Sequence, residues 1–251
     1  MTTTKSSINV LVTRPAQQAL NLSDRLAAAG FNAIGYPSIE IQALNETAVA
    51  QQALQKIDRK DYLIFVSSNA VIHANLLLNK QWPKLTSSIV AIGPKTAETL
   101  KTIGLQANII ASKPFSSESL LKQLQAKLEH QSAAIIKGEG GRPLLAAQLT
   151  KRGVSVLNID VYKRGKPKAR SFPKQTLHYI TITSQLALSN LLQLAAHDGI
   201  QLKQHSCFIV YSPRIAEYAR QLGCQHIHTC SEASDTSLIG SIKDVEKAKD
   251  F

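Results

Sequence analysis

Small polar residues and basic residues occur at several points where a predicted strand passes into a predicted helix. A helix N-terminus carries unpaired N–H groups and the positive end of the helix dipole. Carboxylates and phosphates bind at such ends. The candidate turns are Thr13-Arg14-Pro15, Ser67-Ser68-Asn69, Gly93-Pro94-Lys95-Thr96, Lys137-Gly138-Glu139-Gly140-Gly141-Arg142, Thr183-Ser184 and Ser212-Pro213-Arg214.

Ordinary helix capping is the alternative interpretation of each turn, because Ser, Thr and Pro are favoured at helix starts in any protein. Taken singly, each turn favours capping. Taken together, in a chain with 29 Lys and Arg against 17 Asp and Glu, they favour an anion-binding site. The formal net charge of +12 does not distinguish a nucleic acid, a membrane surface, or a carboxylate or phosphate ligand.

The glycine-rich turn that follows Lys137 lacks the features of a nucleotide site. It has neither the G-x-G-x-x-G spacing of a dinucleotide site nor the Gly-Lys-Ser/Thr end of a P-loop. Its glycines provide a tight turn instead, and Lys137 and Arg142 are available for an anion. A transferase with a nucleotide-linked donor is therefore disfavoured.

Tyr162 is a candidate for proton transfer. It follows a predicted strand at a predicted crossover between two domains, where we expect its side chain to face a cleft. A phenol can donate a hydrogen bond or a proton. An aromatic wedge at a domain junction is an equally good interpretation of the same residue.

Two further patterns could suggest a metal site or a nucleic-acid site. Cys224, His226, His228 and Cys230 alternate along a predicted strand, but ligands about 6.6 Å apart along an extended chain cannot surround one zinc ion. The basic stretch 163–174 matches no nucleic-acid-binding motif, so a solvated linker is preferred. We expect neither a metal site nor a nucleic-acid partner.

The elements that must position these turns are short β-branched runs separated by helical patterns. This alternation predicts βαβ crossovers and parallel sheets covered on both faces. The predicted strands are Ile8–Thr13, Tyr62–Val66, Ile89–Ile92, Ala107–Ala111, Ala133–Lys137, Val154–Ile159, His178–Thr183, Cys207–Tyr211 and Gln225–Cys230.

An internal repeat divides the chain. Thr183-Ser184 and Ser212-Pro213 repeat Ser67-Ser68 and Gly93-Pro94 about 120 residues later, which gives the order A-B-C-A-B-C. We predict a discontinuous α/β domain of residues 1–37 plus 170–251 and a second of residues 44–160. Residues 38–43 and 161–169 are the expected linkers. Two similar flavodoxin-like domains joined by two strands imply a cleft between them, a common ligand site.

Composition restricts the cellular setting. Three cysteines cannot all pair internally, which suggests a reducing compartment. Residues 1–9 have no signal-peptide core, and no apolar run of about 20 residues is present to span a membrane. We expect a soluble, monomeric, cytoplasmic protein with no membrane partner.

The ordered set of motifs resembles the uroporphyrinogen-III synthase family along the whole chain. The motifs are Thr13-Arg14-Pro15, Val66-Ser67-Ser68-Asn69-Ala70-Val71, Gly93-x-x-Thr96-Ala97, Lys137-Gly138-Glu139-Gly140-Gly141-Arg142 and Val161-Tyr162-Lys163-Arg164. The resemblance implies cyclisation of hydroxymethylbilane, a linear tetrapyrrole with eight carboxylates, to uroporphyrinogen III. Water is lost, an azafulvene and a spiro intermediate form, and ring D is inverted. No cofactor is implied.

The resemblance also implies roles for the candidate residues. Tyr162 would be the acid that assists departure of hydroxide, and Arg14 and Lys137 would add positive charge. Contact with the deaminase that makes the bilane is a further expectation. Carboxylates would be bound through hydroxyls or backbone N–H groups of Ser67, Ser68, Gly93, Thr96, Thr183, Ser184 and Ser212.

A non-catalytic protein built on the same duplication is the alternative from a different functional class. It would bind an anionic polycarboxylate ligand between its two domains and close without chemistry. Thermal stabilisation by a tetrapyrrole but not by nucleotides would favour the synthase and the non-catalytic binding protein over the nucleotide-dependent transferase.

Overall fold

A computed structural model describes residues 8–124 and 130–249. The strands are β1 (Asn9–Val12), β2 (Asn32–Gly35), β3 (Glu40–Gln42), β4 (Tyr62–Phe65), β5 (Ser88–Ala91), β6 (Ile109–Ile110), β7 (Ser132–Gly138), β8 (Ser155–Gly165), β9 (Tyr179–Ile182), β10 (Cys207–Val210) and β11 (His226–Thr229). The α-helices are α1 (Ala16–Ala28), α2 (Ala48–Leu54), α3 (Ser68–Leu77), α4 (Pro94–Thr102), α5 (Ser117–Gln123), α6 (Leu144–Lys151), α7 (Gln185–Ala195), α8 (Asp198–His205), α9 (Pro213–Gln221) and α10 (Asp235–Lys247).

The chain divides into two compact units. The first consists of Met1–Glu40 with Gly165–Phe251, and the second of Ile41–Arg164. The expected linkers differ from the structure at both crossovers, because residues 40–42 form β3 and residues 161–165 complete β8. Val161 and Tyr162 are buried in the core of the second unit, so the strand continues through them rather than ending at Ile159.

The first unit contains a sheet in the order β2-β1-β9-β10-β11. Numbered along this unit, the order is 2-1-3-4-5, the flavodoxin-like order. Every neighbouring pair in it is parallel. The sheet accounts for four predicted strands and adds β2, which is not among the predicted strands.

The second unit contains a sheet in the order β3-β8-β7-β4-β5-β6. If β7 is counted as the first strand, β8 through β6 again follow the order 2-1-3-4-5, so this unit is a circular permutation of the first. The β8-β7-β4-β5-β6 pairings are all parallel. The two-domain parallel α/β fold predicted from the sequence is therefore confirmed.

Each sheet is buried on both faces. In the first unit, Leu11 packs on one face, and Val10 and Val12 pack on the other. In the second unit, Leu63 and Ile64 likewise point into different clusters. Successive strand residues alternate between faces, so a strand that is covered on both sides must be apolar throughout. Among the described residues, no helix is both long and apolar enough to cross a membrane.

A matched pair of leucines in α1 tests this packing. Leu22 is fully buried against β1, whereas Leu20 is 67% exposed. We expect Leu22→Ala to lower the free energy of unfolding by about 2–5 kcal/mol, because it leaves a cavity. Leu20→Ala should change it by less than about 0.5 kcal/mol. Urea denaturation would measure both, and equal losses would contradict the assigned face of α1.

Candidate functional site

The carboxyl ends of the central strands define a switch point in each unit. In the first unit, β1 and β9 are neighbours, and the chain leaves them towards opposite edges of the sheet. In the second unit, β7 and β4 have this relation. Ligands of open parallel sheets bind outside the carboxyl ends at such points. Arg14 and Ser184 follow the first pair of strands, and Ser67 follows β4.

Tyr162 lies at the switch point of the second unit, within β8. Its residue partner across the sheet is Gly138, at a register shift in β7. The tyrosine ring occupies the space that a side chain at position 138 would need, since a Cβ there would lie 2.5 Å from the ring Cζ. The sequence placed Tyr162 in a linker after a strand. The structure instead buries it completely.

The Tyr162 hydroxyl has two polar neighbours. Arg164 Nη2 donates a hydrogen bond to it at 3.0 Å, and Ser67 Oγ lies 3.3 Å away. The Arg164 guanidinium carbon is 5.5 Å from the centre of the tyrosine ring. His73 also packs near the tyrosine, with the centres of the two rings 5.4 Å apart. Burial lowers the pKa of His73, so its imidazole is neutral near pH 7.

Tyr162 is one of the residues that line a cavity of about 500 Å³ within the second unit. Tyr162, Arg164 and Lys137 line it, together with Arg142. Ser117 and Asn158 are its other polar residues, and none of the described residues that line it is acidic, which suits an anionic ligand group. Apolar residues complete the wall: Val66, Ile135, Pro143, Leu145 and Ala146.

The candidate serines divide into two groups. Ser67 and Ser184 cap α3 and α7, and each Oγ accepts a hydrogen bond at 3.1 Å from the N–H of Ala70 or Ala187. Their capping interpretation is confirmed, and each oxygen retains its own hydrogen for a further contact. Ser68 Oγ donates to the Lys95 carbonyl at 3.1 Å.

Gly93 and Ser212 begin helices without a side-chain cap. Both are extended, and each is followed by a proline at the first helical position. The first turns of α4 and α9 therefore rely on backbone groups or a ligand for their remaining donors. Thr96 lies in the first turn of α4 and is only 4% exposed, whereas Thr183 is half-buried between β9 and α7.

The two candidate cations are already paired. Arg14 forms an ion pair with Asp235 at 2.6 Å and a hydrogen bond with the Tyr211 hydroxyl, which also donates to Asp235 at 3.0 Å. Lys137 forms an ion pair with Asp160 at 2.6 Å. An anion at either position would join an existing pair rather than meet a free charge.

Sequence reasoning missed the partners of these residues. Asp235 and Tyr211 lie more than 190 residues from Arg14 along the chain, and no local spacing connects them. The contact between Arg164 and Tyr162 could have been predicted, because residues two apart on a strand share a face and Arg164 is two residues after Tyr162. The predicted early end of this strand concealed that relation.

The alternating cysteines and histidines do not form a site. Cys224 packs in the core on one face of the first sheet, and Cys230 packs in the core on the other. Within residues 8–124 and 130–249, no group of three or more His, Cys, Asp or Glu is placed to hold a metal. Burial raises the pKa of the Cys224 thiol to about 11.

Comparison with known proteins assigns the family. A family model described as Uroporphyrinogen-III synthase HemD matches residues 21–240. The chain belongs to this family. A uroporphyrinogen-III synthase of Proteus mirabilis is 37% identical over 164 residues, which cover 62% of this chain and 80% of that protein. The uroporphyrinogen-III synthase of Escherichia coli (strain K12) is 29% identical over 248 residues, covering 94% and 100%.

Solved structures share the fold. A uroporphyrinogen-III synthetase from Helicobacter pylori has a TM-score of 0.65 at 16% identity, covering 95% of this chain and 99% of that one. A mutant uroporphyrinogen III synthase from Thermus thermophilus has a TM-score of 0.58 at 16% identity, covering 96% and 100%. The family assignment and the fold predicted from the motifs are both confirmed.

The close approach of Gly138 to Tyr162 gives a prediction for this uroporphyrinogen-III synthase family member. We expect Gly138→Ala to displace the ring and lower both activity and the free energy of unfolding, the latter by about 1–3 kcal/mol. Gly35→Ala, in β2, is the control, since a Cβ there meets nothing within 4 Å. Denaturation and turnover would be measured for both variants. Wild-type activity in Gly138→Ala would contradict a fixed ring position.

Proposed function

We propose that this chain cyclises hydroxymethylbilane to uroporphyrinogen III and uses the Tyr162 hydroxyl as its acid. The observation that carries the reaction is the family match over residues 21–240. The acid role is supported by the Tyr162 hydroxyl, which lies at a sheet switch point beside a cationic cavity. As proposed, the reaction uses no metal and no organic cofactor.

The chemical steps balance without an added reactant. Tyr162 gives its proton to the terminal hydroxyl of the bilane, the C–O bond breaks, and water leaves. The resulting azafulvene cation is attacked by ring D at its substituted carbon, which gives a spiro intermediate. That intermediate reopens and recloses with ring D inverted, and the proton lost on rearomatisation returns the phenolate to a phenol. Positioning supplies most of the acceleration, because a flexible chain must be held for attack by the hindered carbon.

We assign the substrate carboxylates to the carboxyl ends of the strands. In the second unit the proposed groups belong to Ser67, Ser68, Gly93, Thr96 and Lys137. In the first unit they belong to Arg14, Thr183, Ser184 and Ser212. Helix starts and paired cations suit this task, because a helix N-terminus attracts an anion and an ion pair can accept a second carboxylate on its guanidinium or ammonium group.

Further proposals concern the setting of the reaction. Hydroxymethylbilane closes by itself to the type I isomer, so transfer from the deaminase that makes it, by transient contact, would limit that loss. We also propose a monomer in the cytoplasm. The described cysteines carry free thiols, which agrees with a reducing compartment.

A coupled assay tests the reaction. Hydroxymethylbilane would be generated from porphobilinogen with its deaminase, this protein would be added, and the oxidised porphyrin isomers would be separated. We expect the type III isomer to dominate. Type I alone, from protein with a cooperative thermal transition, would favour the non-catalytic polycarboxylate-binding alternative.

Substitution of the proposed acid tests its role. We expect Tyr162→Phe to lower kcat by about a hundredfold, the lower end of what a general acid contributes. Binding of uroporphyrinogen III under anaerobic conditions should persist, because the ring remains in place. Tyr36→Phe is the control, since Tyr36 is buried in the first unit and its hydroxyl contacts a backbone carbonyl. Undiminished kcat in Tyr162→Phe would remove the acid role.

A further inference from the structure

Arg164 fixes the direction in which the Tyr162 hydroxyl can donate. A guanidinium has only donors, so in the 3.0 Å contact the tyrosine oxygen must accept. That bond occupies a lone pair of the oxygen and leaves its hydrogen for another acceptor. Ser67 Oγ, 3.3 Å away, is the neighbour that can take it when no substrate is bound.

Burial makes this orientation consequential. Tyr162 is fully buried, so no bulk water competes for the phenol. A hydroxyl in such surroundings points where its partners direct it, and an unpaired one is costly. Arg164 is an exposed residue and lines the same cavity as Tyr162.

Charge supports the same role. A phenolate left by proton donation would lie beside the Arg164 guanidinium and near the N-terminus of α3, which Ser67 caps. Both stabilise negative charge as it develops. Of the cations that line the cavity, Lys137 and Arg142 each have a carboxylate partner, whereas the Arg164 guanidinium donates a hydrogen bond to the phenol.

We propose that Arg164 is a positioning residue, which acts through Tyr162. By donating to the phenol oxygen, it keeps the phenol hydrogen available for an acceptor, which is Ser67 in the free enzyme and the substrate hydroxyl when substrate is bound. This inference rests on the proposed acid role of Tyr162. It differs from a role in binding substrate carboxylates, because its effect requires the tyrosine hydroxyl.

A double-mutant cycle tests the proposal in the full-length enzyme. We expect Arg164→Gln to lower kcat about tenfold and to change KM by less than about twofold, since only the orientation of the phenol hydrogen is lost. In the Tyr162→Phe background the same substitution should lower kcat by less than about twofold, because the group it directs is gone. Arg164→Lys should restore part of the loss through a single donor. Lys163→Gln removes the same charge one residue away and should leave kcat unchanged.

The outcomes separate the proposals. If the kcat losses of Arg164→Gln and Tyr162→Phe multiply, or if Arg164→Gln raises KM alone, then Arg164 acts on the substrate and the inference is overturned, while the acid role stands. An unchanged kcat in Tyr162→Phe overturns both. If Arg164→Gln lacks a cooperative thermal transition, the cycle with Arg164→Lys decides in the same way.

Discussion

Parallel strand pairing requires the chain to cross back over the sheet after each strand, and in both units this chain makes most of those crossings with helices. All carboxyl ends of the paired strands then lie along one edge, and each helix that follows begins there. Because every pairing across β7, β4 and β5 keeps this direction, Ser67 and Gly93 meet at the same edge as the end of β7. The proposed chemistry depends on that convergence, since Gly93 and Ser67 lie 45 and 71 positions before Gly138 in the sequence.

The electrostatics of this edge are less simple than the net charge of +12 suggests. Arg14 and Lys137 hold carboxylates of the protein itself. These pairs fix the side chains at the strand ends, which lowers the entropy that a ligand must still remove. In the proposed mode of binding, the groups that attract a polycarboxylate are oriented ones: the helix N-termini and the cations that the ion pairs hold in place. The overall charge adds long-range attraction but no geometry.

The burial of both sheet faces follows from patterns that the sequence carries locally. Runs such as Leu63-Ile64-Phe65 are apolar without alternation, as parallel strands between two helical layers require. The capping serines were also predictable from their place before a helix. The contacts of Tyr162 were not, because Ser67 lies 95 residues away and the missing Cβ of Gly138 matters only once the sheet is assembled. The predicted end of β8 at Ile159 was wrong, because the strand continues to Gly165 and buries Tyr162 in the core of the second unit.

Each unit buries a tyrosine near the carboxyl end of its second strand, and the two hydroxyls have different partners. Tyr36 follows β2, the second strand in the first unit, and Tyr162 lies near the end of β8, the second strand in the permuted order of the other unit. Each has an arginine over its ring, with Arg170 4.4 Å from the centre of Tyr36 and Arg164 5.5 Å from that of Tyr162.

The two hydroxyls differ in their hydrogen-bond partners. That of Tyr36 donates to the Arg170 carbonyl, an acceptor that keeps the hydrogen. That of Tyr162 accepts from a guanidinium and faces a serine that can release it. The Tyr36 hydroxyl is therefore committed to a structural contact, whereas under the proposed mechanism the Tyr162 hydroxyl keeps a proton that it can give to the substrate.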